Sequence, residues 1–331
     1  MHYGSGHTLA VTYNGKTVSD FERDALHREI SRTQGVLTQH QSYDVKGRKT
    51  WQSSINNKIA SSLQRPEEGL LWRQYGYSAS DELIASNDAL RGTYYYDYYA
   101  EGRITGVFNQ RAGYQEQQMH YDAADNILNQ AIGYWDEQQR KVVEPVRDNR
   151  LKVYQRLLNR YDAFGNLIER HANGKITYLR YNASNQLIGV RFSQRSQTDE
   201  VSYHYDALGR RIKKINRIDS ENIKETNFIW HGLRLLQERK GVKQRTWFYS
   251  PTDAYHPIAC ALQTEGYLTS ELYYYHNEIN GLPLDVTNET GDLVWSRVFD
   301  VFGKYIEHTP TYCMYGHSKP ITQQFEQLLR L

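Results

Sequence analysis

Cysteine is almost missing: the chain has 331 residues and two cysteines, Cys260 and Cys313. Two thiols by themselves build neither a disulfide framework nor a zinc site. Methionine (3) and proline (7) are also scarce. No apolar stretch approaches the ~20 residues that a membrane helix needs, so no membrane span is expected. The start, Met1-His2-Tyr3-Gly4-Ser5-Gly6, lacks a basic region followed by an apolar one. It therefore does not read as a signal peptide, and the expected location is cytoplasmic unless another machine exports the chain. No charge of one sign dominates either. Lys+Arg 40 against Asp+Glu 38 leaves a formal charge of +2. Nucleic-acid binding needs a concentrated basic face, and none is expected here. Arg210-Arg211 and Lys213-Lys214 are short clusters in strand-like segments and read as a solvated strand edge.

Tyrosine is abundant, with 28 copies, although mean hydropathy is -0.77. A tyrosine can bury its ring while its hydroxyl keeps water or a backbone partner. That composition suits thin, half-exposed sheets better than a thick aliphatic core.

The tyrosines fall in a repeat of aromatic, Asx, small residue, any residue, a turn-former (Gly, Asn or Asp), a polar residue, then aliphatics. Copies begin at Tyr161-Asp162 (with Gly165), Tyr181-Asn182, Tyr205-Asp206 (with Gly209) and Tyr121-Asp122. Tyr43-Asp44 (with Gly47) and Phe299-Asp300 (with Gly303) fit with small changes, and weaker copies start at Arg23, Tyr77 and Tyr98. Adjacent copies lie roughly 20 residues apart, a solenoid-like period. In each copy the Asx side chain can bond the backbone two residues on and start a turn, and the later Gly, Asn or Asp tolerates positive φ. The flanks alternate: Val201, Tyr203 and Tyr205 share one face, a strand signal. Asn14-Gly15 and Asn173-Gly174 are hairpin cues, and Gly241 and Gly291 mark two more turns. One hairpin cannot bury its apolar face alone, so the copies should lie side by side in one twisted sheet. Residues 55–70 read as an irregular insertion. Pro320 to Leu331 carries an apolar stripe and reads as a short C-terminal helix.

Catalytic constellations are absent from the reading. Of twelve histidines, only His317 lies at zinc spacing from a cysteine, Cys313, and the other ligands are lacking. There is no Gly-x-Ser-x-Gly elbow, phosphate loop or dinucleotide glycine fingerprint. Gly4-Ser5-Gly6-His7 sits in a strand-and-turn context. The repeated Asp residues recur at one place in a turn, so one structural job explains them all. The expectation is no enzyme, with no catalytic, cofactor or metal residues. The rival is an adhesive or carbohydrate-binding module. Tyr94, Tyr95, Tyr96, Tyr98 and Tyr99 are its densest aromatic patch, followed by Tyr273, Tyr274 and Tyr275. Against it stands the alternation of neighbouring strand residues between two faces.

The Tyr-Asp-Ala-x-Gly units resemble the YD repeats of bacterial Rhs proteins, with animal teneurins as distant relatives. Longer passages are similar to the enterobacterial Rhs core: Phe21-Glu22-Arg23-Asp24-Ala25-Leu26-His27-Arg28-Glu29, Asp148-Asn149-Arg150-Leu151, Leu233-Arg234-Leu235-Leu236-Gln237 and Asn280-Gly281-Leu282-Pro283-Leu284-Asp285-Val286-Thr287. The resemblance implies an all-β fold, with repeat hairpins in a spiralling sheet that forms part of a hollow shell around a C-terminal toxin. It implies delivery to neighbouring bacteria by a type VI secretion machine, with the rest of the shell, the toxin or a secretion spike protein as partners. The sequence departs from that pattern. It contains no Asp-Pro pair, where relatives carry an aspartate-dependent self-cleavage motif. The run after His308 does not follow the family. The expected organisation is a core fragment over 1–308 and a divergent tail over 309–331, a truncated remnant without self-cleavage site or toxin.

Overall fold

The computed structural model describes residues 6–58, 65–109, 117–128, 134–136, 141–143, 146–154, 157–193, 198–218, 222–301, 303, 305–306, 311–314 and 317–320. The chain forms two compact units, one from Met1–Gln117 with Arg245–Leu331, the other from Gln118–Gln244. The described residues are strands and turns, apart from a 3-10 turn over Pro66–Glu68.

In the first unit the chain opens as an antiparallel meander: β1 (Ala10–Tyr13), β2 (Lys16–Arg23), β3 (Glu29–Gln34), β4 (Leu37–Tyr43), β5 (Lys49–Asn56), β6 (Leu71–Tyr77), β7 (Leu83–Asp88), β8 (Gly92–Tyr98) and β9 (Ile104–Asn109). The same unit closes with the antiparallel strands Pro257–Thr264, Glu271–Asn277, Pro283–Asn288 and Leu293–Ser296. Val18 on β2 packs in one apolar cluster with Ala259, Ala261, Leu272 and Tyr274. Around that cluster the interior is polar, with Gln34, Gln39, Gln41 and Gln52 all buried. Buried amides need partners. Gln34 Nε2 finds Ser19 Oγ at 2.8 Å and the Ile258 carbonyl at 2.9 Å, and Gln52 Nε2 donates to the Asn277 carbonyl at 2.7 Å.

The second unit carries another meander: Leu157–Tyr161, Leu167–Ala172, Lys175–Tyr181, Leu187–Ser193, Thr198–Tyr205, Arg211–Arg217, Ile223–His231 and Arg234–Lys240. Its buried apolar side chains, among the described residues, are Met119, Val190 and Val201. So thin a core fits the tyrosine-rich composition, in which half-buried rings supply the covered area.

Both cued hairpins close on tight turns with positive φ at both central residues, Asn14 (48°) with Gly15 (77°) and Asn173 (49°) with Gly174 (74°). That is the turn whose twist matches the flanking strands. Of the irregular stretch read over 55–70, residues 59–64 lie outside the described residues. β5 runs on to Asn56, and Pro66–Glu68 forms the 3-10 turn. Pro320 ends the strand His317–Pro320 rather than beginning a helix, and the remainder of that expected helix, 321–331, lies outside the described residues.

Candidate functional site

The repeat is built around one carboxylate. Asp162 Oδ1 accepts the backbone N–H of Phe164 at 2.9 Å and of Asn166 at 2.8 Å, while Oδ2 accepts Asn166 Nδ2 at 3.0 Å. The backbone closes the same loop: Asp162 N–H reaches the Asn166 carbonyl at 3.0 Å and Gly165 N–H the Asp162 carbonyl at 3.2 Å. Gly165 takes φ +89°, as only glycine does readily. Asp122 repeats the set with Ala124 and Asn126. Asp44 and Asp206 repeat it with an arginine, their Oδ2 atoms taking Arg48 Nε and Arg210 Nε at 2.7 Å. Asn182 keeps both backbone bonds, with Asn185 supplying the positive φ (57°). At Asp300 the Gly303 N–H closes the turn at 3.0 Å, with Gly303 at φ +74°. The Asn166 amide holds the Asp162 carboxyl below the usual carboxylate range, helped by the backbone N–H groups. Asp44, Asp122 and Asp206 are likewise held below that range, so these four acids are ionised and already engaged by their own turns.

The aromatic that opens each copy has a second task. A register shift falls immediately before Arg23, Tyr43, Tyr77, Tyr98, Tyr161, Tyr181 and Tyr205. Such a bulge re-aims the side chain that follows it. The hydroxyls then reach back one repeat. Tyr43 donates to the Glu29 carbonyl (2.8 Å), Tyr77 to Lys49 (2.9 Å), Tyr98 to Leu83 (2.9 Å) and Tyr205 to Leu187 (2.7 Å). In each case the acceptor lies six positions after the opening residue of the preceding copy: 23 to 29, 43 to 49, 77 to 83 and 181 to 187. Two further copies use other chemistry. Trp230 Nε1 donates to the Arg211 carbonyl at 2.9 Å, and Asn277 Nδ2 to the Pro257 carbonyl at 2.7 Å. Trp230 and Asn277 also follow register shifts, and neither was legible as a repeat start because no Tyr-Asp pair marks them. Guanidinium groups cover some of the rings, with Arg28 4.8 Å from the Tyr43 centroid and Arg48 4.6 Å from that of Tyr77.

Removing one such staple should be measurable. Tyr205→Phe deletes the bond to Leu187 and leaves a partly covered carbonyl, so a loss of about 1 kcal/mol is expected. Urea titration of the purified chain checks this; a midpoint unmoved within error would show that water replaces the staple at no cost.

The tyrosine patch divides between faces. Tyr96 is largely covered, and burial raises its phenol above the usual range. Tyr98 spends its hydroxyl on the Leu83 carbonyl. Tyr95 and Tyr99 are exposed, and Tyr94 is half-buried. Tyr95 has a companion in Phe108, opposite it on β9, their ring centroids 6.4 Å apart and 26° from parallel. Tyr274 and Tyr275 are core residues, and Tyr273 is half-buried.

A different cluster lies inside the first unit. Asp285 is fully buried, opposite His276 and Ser296 on its two neighbouring strands. Its Oδ1 accepts Arg91 Nη2 at 2.7 Å and Ser296 Oγ at 2.6 Å, and its Oδ2 accepts Arg73 Nη2. Arg73 Nε also bonds Asp88 Oδ2 at 2.7 Å, and Arg91 Nη1 bonds both Asp88 oxygens at 3.1–3.2 Å. Arg91 further donates to the Leu284 and Arg297 carbonyls, both at 2.9 Å. The carboxyl of Asp285 sits at about 2: burial acts to raise it, and the two guanidinium groups outweigh burial. His276 beside it is held neutral, pushed down to about 3 chiefly by burial, and its Nε2 lies 2.9 Å from Thr287 Oγ1. Both oxygens of Asp285 are saturated, so the cluster ties the β6–β8 region to the closing strands of its unit and leaves no position for a reactant. Among the described residues no group of three or more His, Cys, Asp or Glu side chains is placed to hold a metal, and no helix is long and apolar enough to cross a membrane.

Comparison with known proteins reaches part of this cluster and most of the chain. A family described as RHS protein matches residues 272–309, which contain His276, Asp285 and Ser296. Double-stranded DNA deaminase toxin A of Burkholderia cenocepacia is 36% identical over 321 residues, covering 92% of this chain and 22% of the relative. Toxin protein Tse5 of Pseudomonas aeruginosa is 27% identical over 361 residues, covering 91% of the chain and 26% of the relative. The chain thus spans about a quarter of the length of these curated relatives. Among solved structures, the Photorhabdus luminescens Tc holotoxin pore matches with TM-score 0.66 and 13% identity, over 91% of this chain and 16% of that one. The TcdB2-TccC3-Cdc42 complex matches with TM-score 0.63 and 14% identity, over 91% and 16%. At such identity these two likenesses speak to the fold alone.

Proposed function

We propose, for a chain that belongs to the RHS family, that its work is architectural: a wall segment of an Rhs-type toxin that performs no chemistry itself. One observation carries this reading. Asp44, Asp122, Asp162 and Asp206 each accept the same two backbone N–H groups, two and four residues on, and one side-chain donor from the latter residue, each inside its own turn. A catalytic carboxylate needs a reacting atom within hydrogen-bond reach and a partner group matched to the task. Four copies of one saturated turn instead describe a brick. The staples then join brick to brick, so that the wall is extended by repetition. In this reading the partners are the remainder of an Rhs shell, an enclosed toxin and a secretion spike protein, and a type VI-like machine is the exporter.

The test exploits the difference between Asp and Asn. Asn keeps the oxygen that accepts the two backbone N–H groups, as Asn182 already does. It cannot serve as a general base or nucleophile. The variant D44N/D122N/D162N/D206N should fold, and bacteria expressing either form should grow like the empty-vector control. A growth defect caused by the parent chain and relieved by the fourfold variant would sink the architectural reading.

One observation favours a second reading, glycan binding, on a narrower footprint than the sequence suggested. Tyr95 and Phe108 expose nearly half their surface (45% and 47%), and Gly76 and Ala85 continue their row across β6 and β7. Small residues beside paired rings leave a ledge on which a sugar face could lie. A glycan array probed with the parent chain and with Y95A/F108A decides it: saturable binding lost in the variant supports this reading, and none in the parent removes it.

A further inference from the structure

The turns opened by Tyr161, Tyr181, Tyr205 and Trp230 are alternate connections of one meander in the second unit, so all four lie at the same end of its sheet. Strands lie about 4.8 Å apart, which places neighbouring turns about 10 Å apart in a row about 30 Å long. Lateral bonds hold the row together. Asn166 Nδ2 donates to Asn185 Oδ1 at 2.9 Å, and Arg210 Nη1 to the Gly232 carbonyl at 2.7 Å.

Three of the four tips are apolar and bare. Phe164, Leu208 and Leu233 stand three residues after the opening aromatic and are 83%, 72% and 66% exposed. Ser184 holds that place in the remaining turn. Phe164 and Leu208 give their turns a backbone N–H, which any residue but proline supplies. One bare apolar side chain is ordinary, whereas three at one position along one edge mark a contact surface. Behind the tips stand Tyr161, Tyr181, Tyr205 and Trp230, half-buried amphipathic rings of the kind that settle at the level of lipid headgroups.

The charge on this edge is also uneven. A cross-strand pair bounds each turn: Arg160–Glu169, Arg180–Gly189, His204–Lys213 and Ile229–Gln237. Within those bounds stand six cations, Arg160, Arg180, Arg210, Arg211, Lys213 and Arg234, and three acids, Asp162, Glu169 and Asp206. Arg160 pairs with Glu169, Arg210 with Asp206, and Lys213 with Glu225 from beyond the bounds, at 2.7–2.9 Å. Arg180, Arg211 and Arg234 have no carboxylate partner among the described residues, and Asp162 is held by the Asn166 amide. The turn beside Phe164 adds Arg147, Arg150 and one acid, Asp148, with Arg150 Nη2 bonded to the Ala163 carbonyl at 3.2 Å. Asp122 and Asp125 come with the turn beyond it. The repeat itself does not require a basic edge. In the first unit the corresponding turns, bounded by Glu22–Ser31, Ser42–Trp51, Gly76–Ala85 and Asp97–Gly106, hold six Lys and Arg against eight Asp and Glu.

We propose that this edge of the second unit docks on the surface of an anionic lipid bilayer. Phe164, Leu208 and Leu233 enter the boundary between headgroups and acyl chains, and Arg180, Arg211 and Arg234 meet lipid phosphates. The tips are separate projections about 10–20 Å apart rather than a continuous apolar patch. A fluid surface closes around such projections, where a rigid protein face would need a pocket matched to each.

The experiment is vesicle flotation of the full chain, with phosphatidylcholine alone and with phosphatidylcholine mixed with phosphatidylglycerol. The chain should bind the mixed vesicles at least about tenfold tighter than the neutral ones, and added salt should weaken that binding. F164S/L208S/L233S should weaken it at least about tenfold while keeping the parent's unfolding midpoint, because the three side chains are exposed. R180Q/R211Q/R234Q should bind both kinds of vesicle alike. L26S/V45S removes two bare apolar side chains from turns of the first unit and should float as the parent does. A parent that ignores the mixed vesicles, or F164S/L208S/L233S binding them as tightly as the parent, overturns the assignment. Light scattering identifies the rival occupant: a parent that ignores vesicles but forms oligomers, which F164S/L208S/L233S dissolves, assigns the edge to a second copy of the chain instead.

Discussion

Replacing Asp285 with alanine is expected to lower the stability of the first unit by about 3–5 kcal/mol, the largest effect of any single substitution considered for this chain. The carboxylate lies at 0% exposure between Arg73 and Arg91. Alanine leaves two guanidinium groups in a dry interior, with Asp88 as their remaining carboxylate partner. It also strips Ser296 Oγ of its acceptor. The cost comes mainly from stranded charge, since an intact buried pair contributes little net stability against a well-packed apolar replacement. That distinction yields a second, opposite expectation. The combination R73M/D88N/R91M/D285L removes the charges together and should recover most of what D285A loses. Guanidinium denaturation is a poor choice here, because its salt screens ion pairs; urea titrations followed by tryptophan fluorescence are preferable. A D285A midpoint within about 1 kcal/mol of the parent would mean that water reaches the site, and the clasp reading would fail.

This clasp was not legible in the sequence, whereas the turns were. Asp162 bonds residues two and four positions onward, and Gly165 sits at a fixed offset, so the whole turn is encoded within a handful of positions. Arg73 and Asp285 are 212 positions apart. Nothing local in Leu71–Tyr77 announces that its arginine will find an acid in another part of the unit. One signal was present: Asp285 stands alone in the apolar alternation Leu284-Asp285-Val286-Thr287, and a buried acid in such a strand requires a cation. The staples fall between these extremes. The tyrosines were visible, and a backbone partner for the hydroxyl was foreseeable, but the acceptor is set by register, which depends on the bulge before each aromatic. Trp230 and Asn277 perform the same task without a Tyr-Asp signature, so pattern matching passed over them. Tyr94 to Tyr99 show the reverse case, where alternation along β8 already predicted that one patch would become two faces.

Substituting His276 should change how the chain responds to mild acid. The ring is buried and neutral, with burial pushing its pKa down to about 3 while Asp285 acts to raise it and Arg73 and Arg32 to lower it. Unfolded histidine titrates near 6.5. Between those values the unfolded chain holds a proton that the folded chain refuses, so stability rises with pH there. The contribution is therefore complete above about 6.5 and is lost on acidification at up to about 1.4 kcal/mol per pH unit, approaching completion near pH 3. Asp285 has the same sign in a lower window, since its depressed carboxyl loses its contribution between the ordinary range near 4 and about 2. The interval from pH 6.5 to 4.5 thus belongs to histidine, and burial also lowers His40, with the same sign. His276→Gln keeps a polar partner for Thr287 Oγ1 and removes the titration. Its stability at pH 7 should fall modestly, while the slope between pH 6.5 and 4.5 should flatten by a large fraction, leaving the part owed to His40. H40Q/H276Q should flatten it further. Urea midpoints measured at half-unit pH steps resolve the two slopes. A parent curve already flat across that interval would show that His276 takes up its proton in the folded state, and with it that water reaches the clasp beside Asp285.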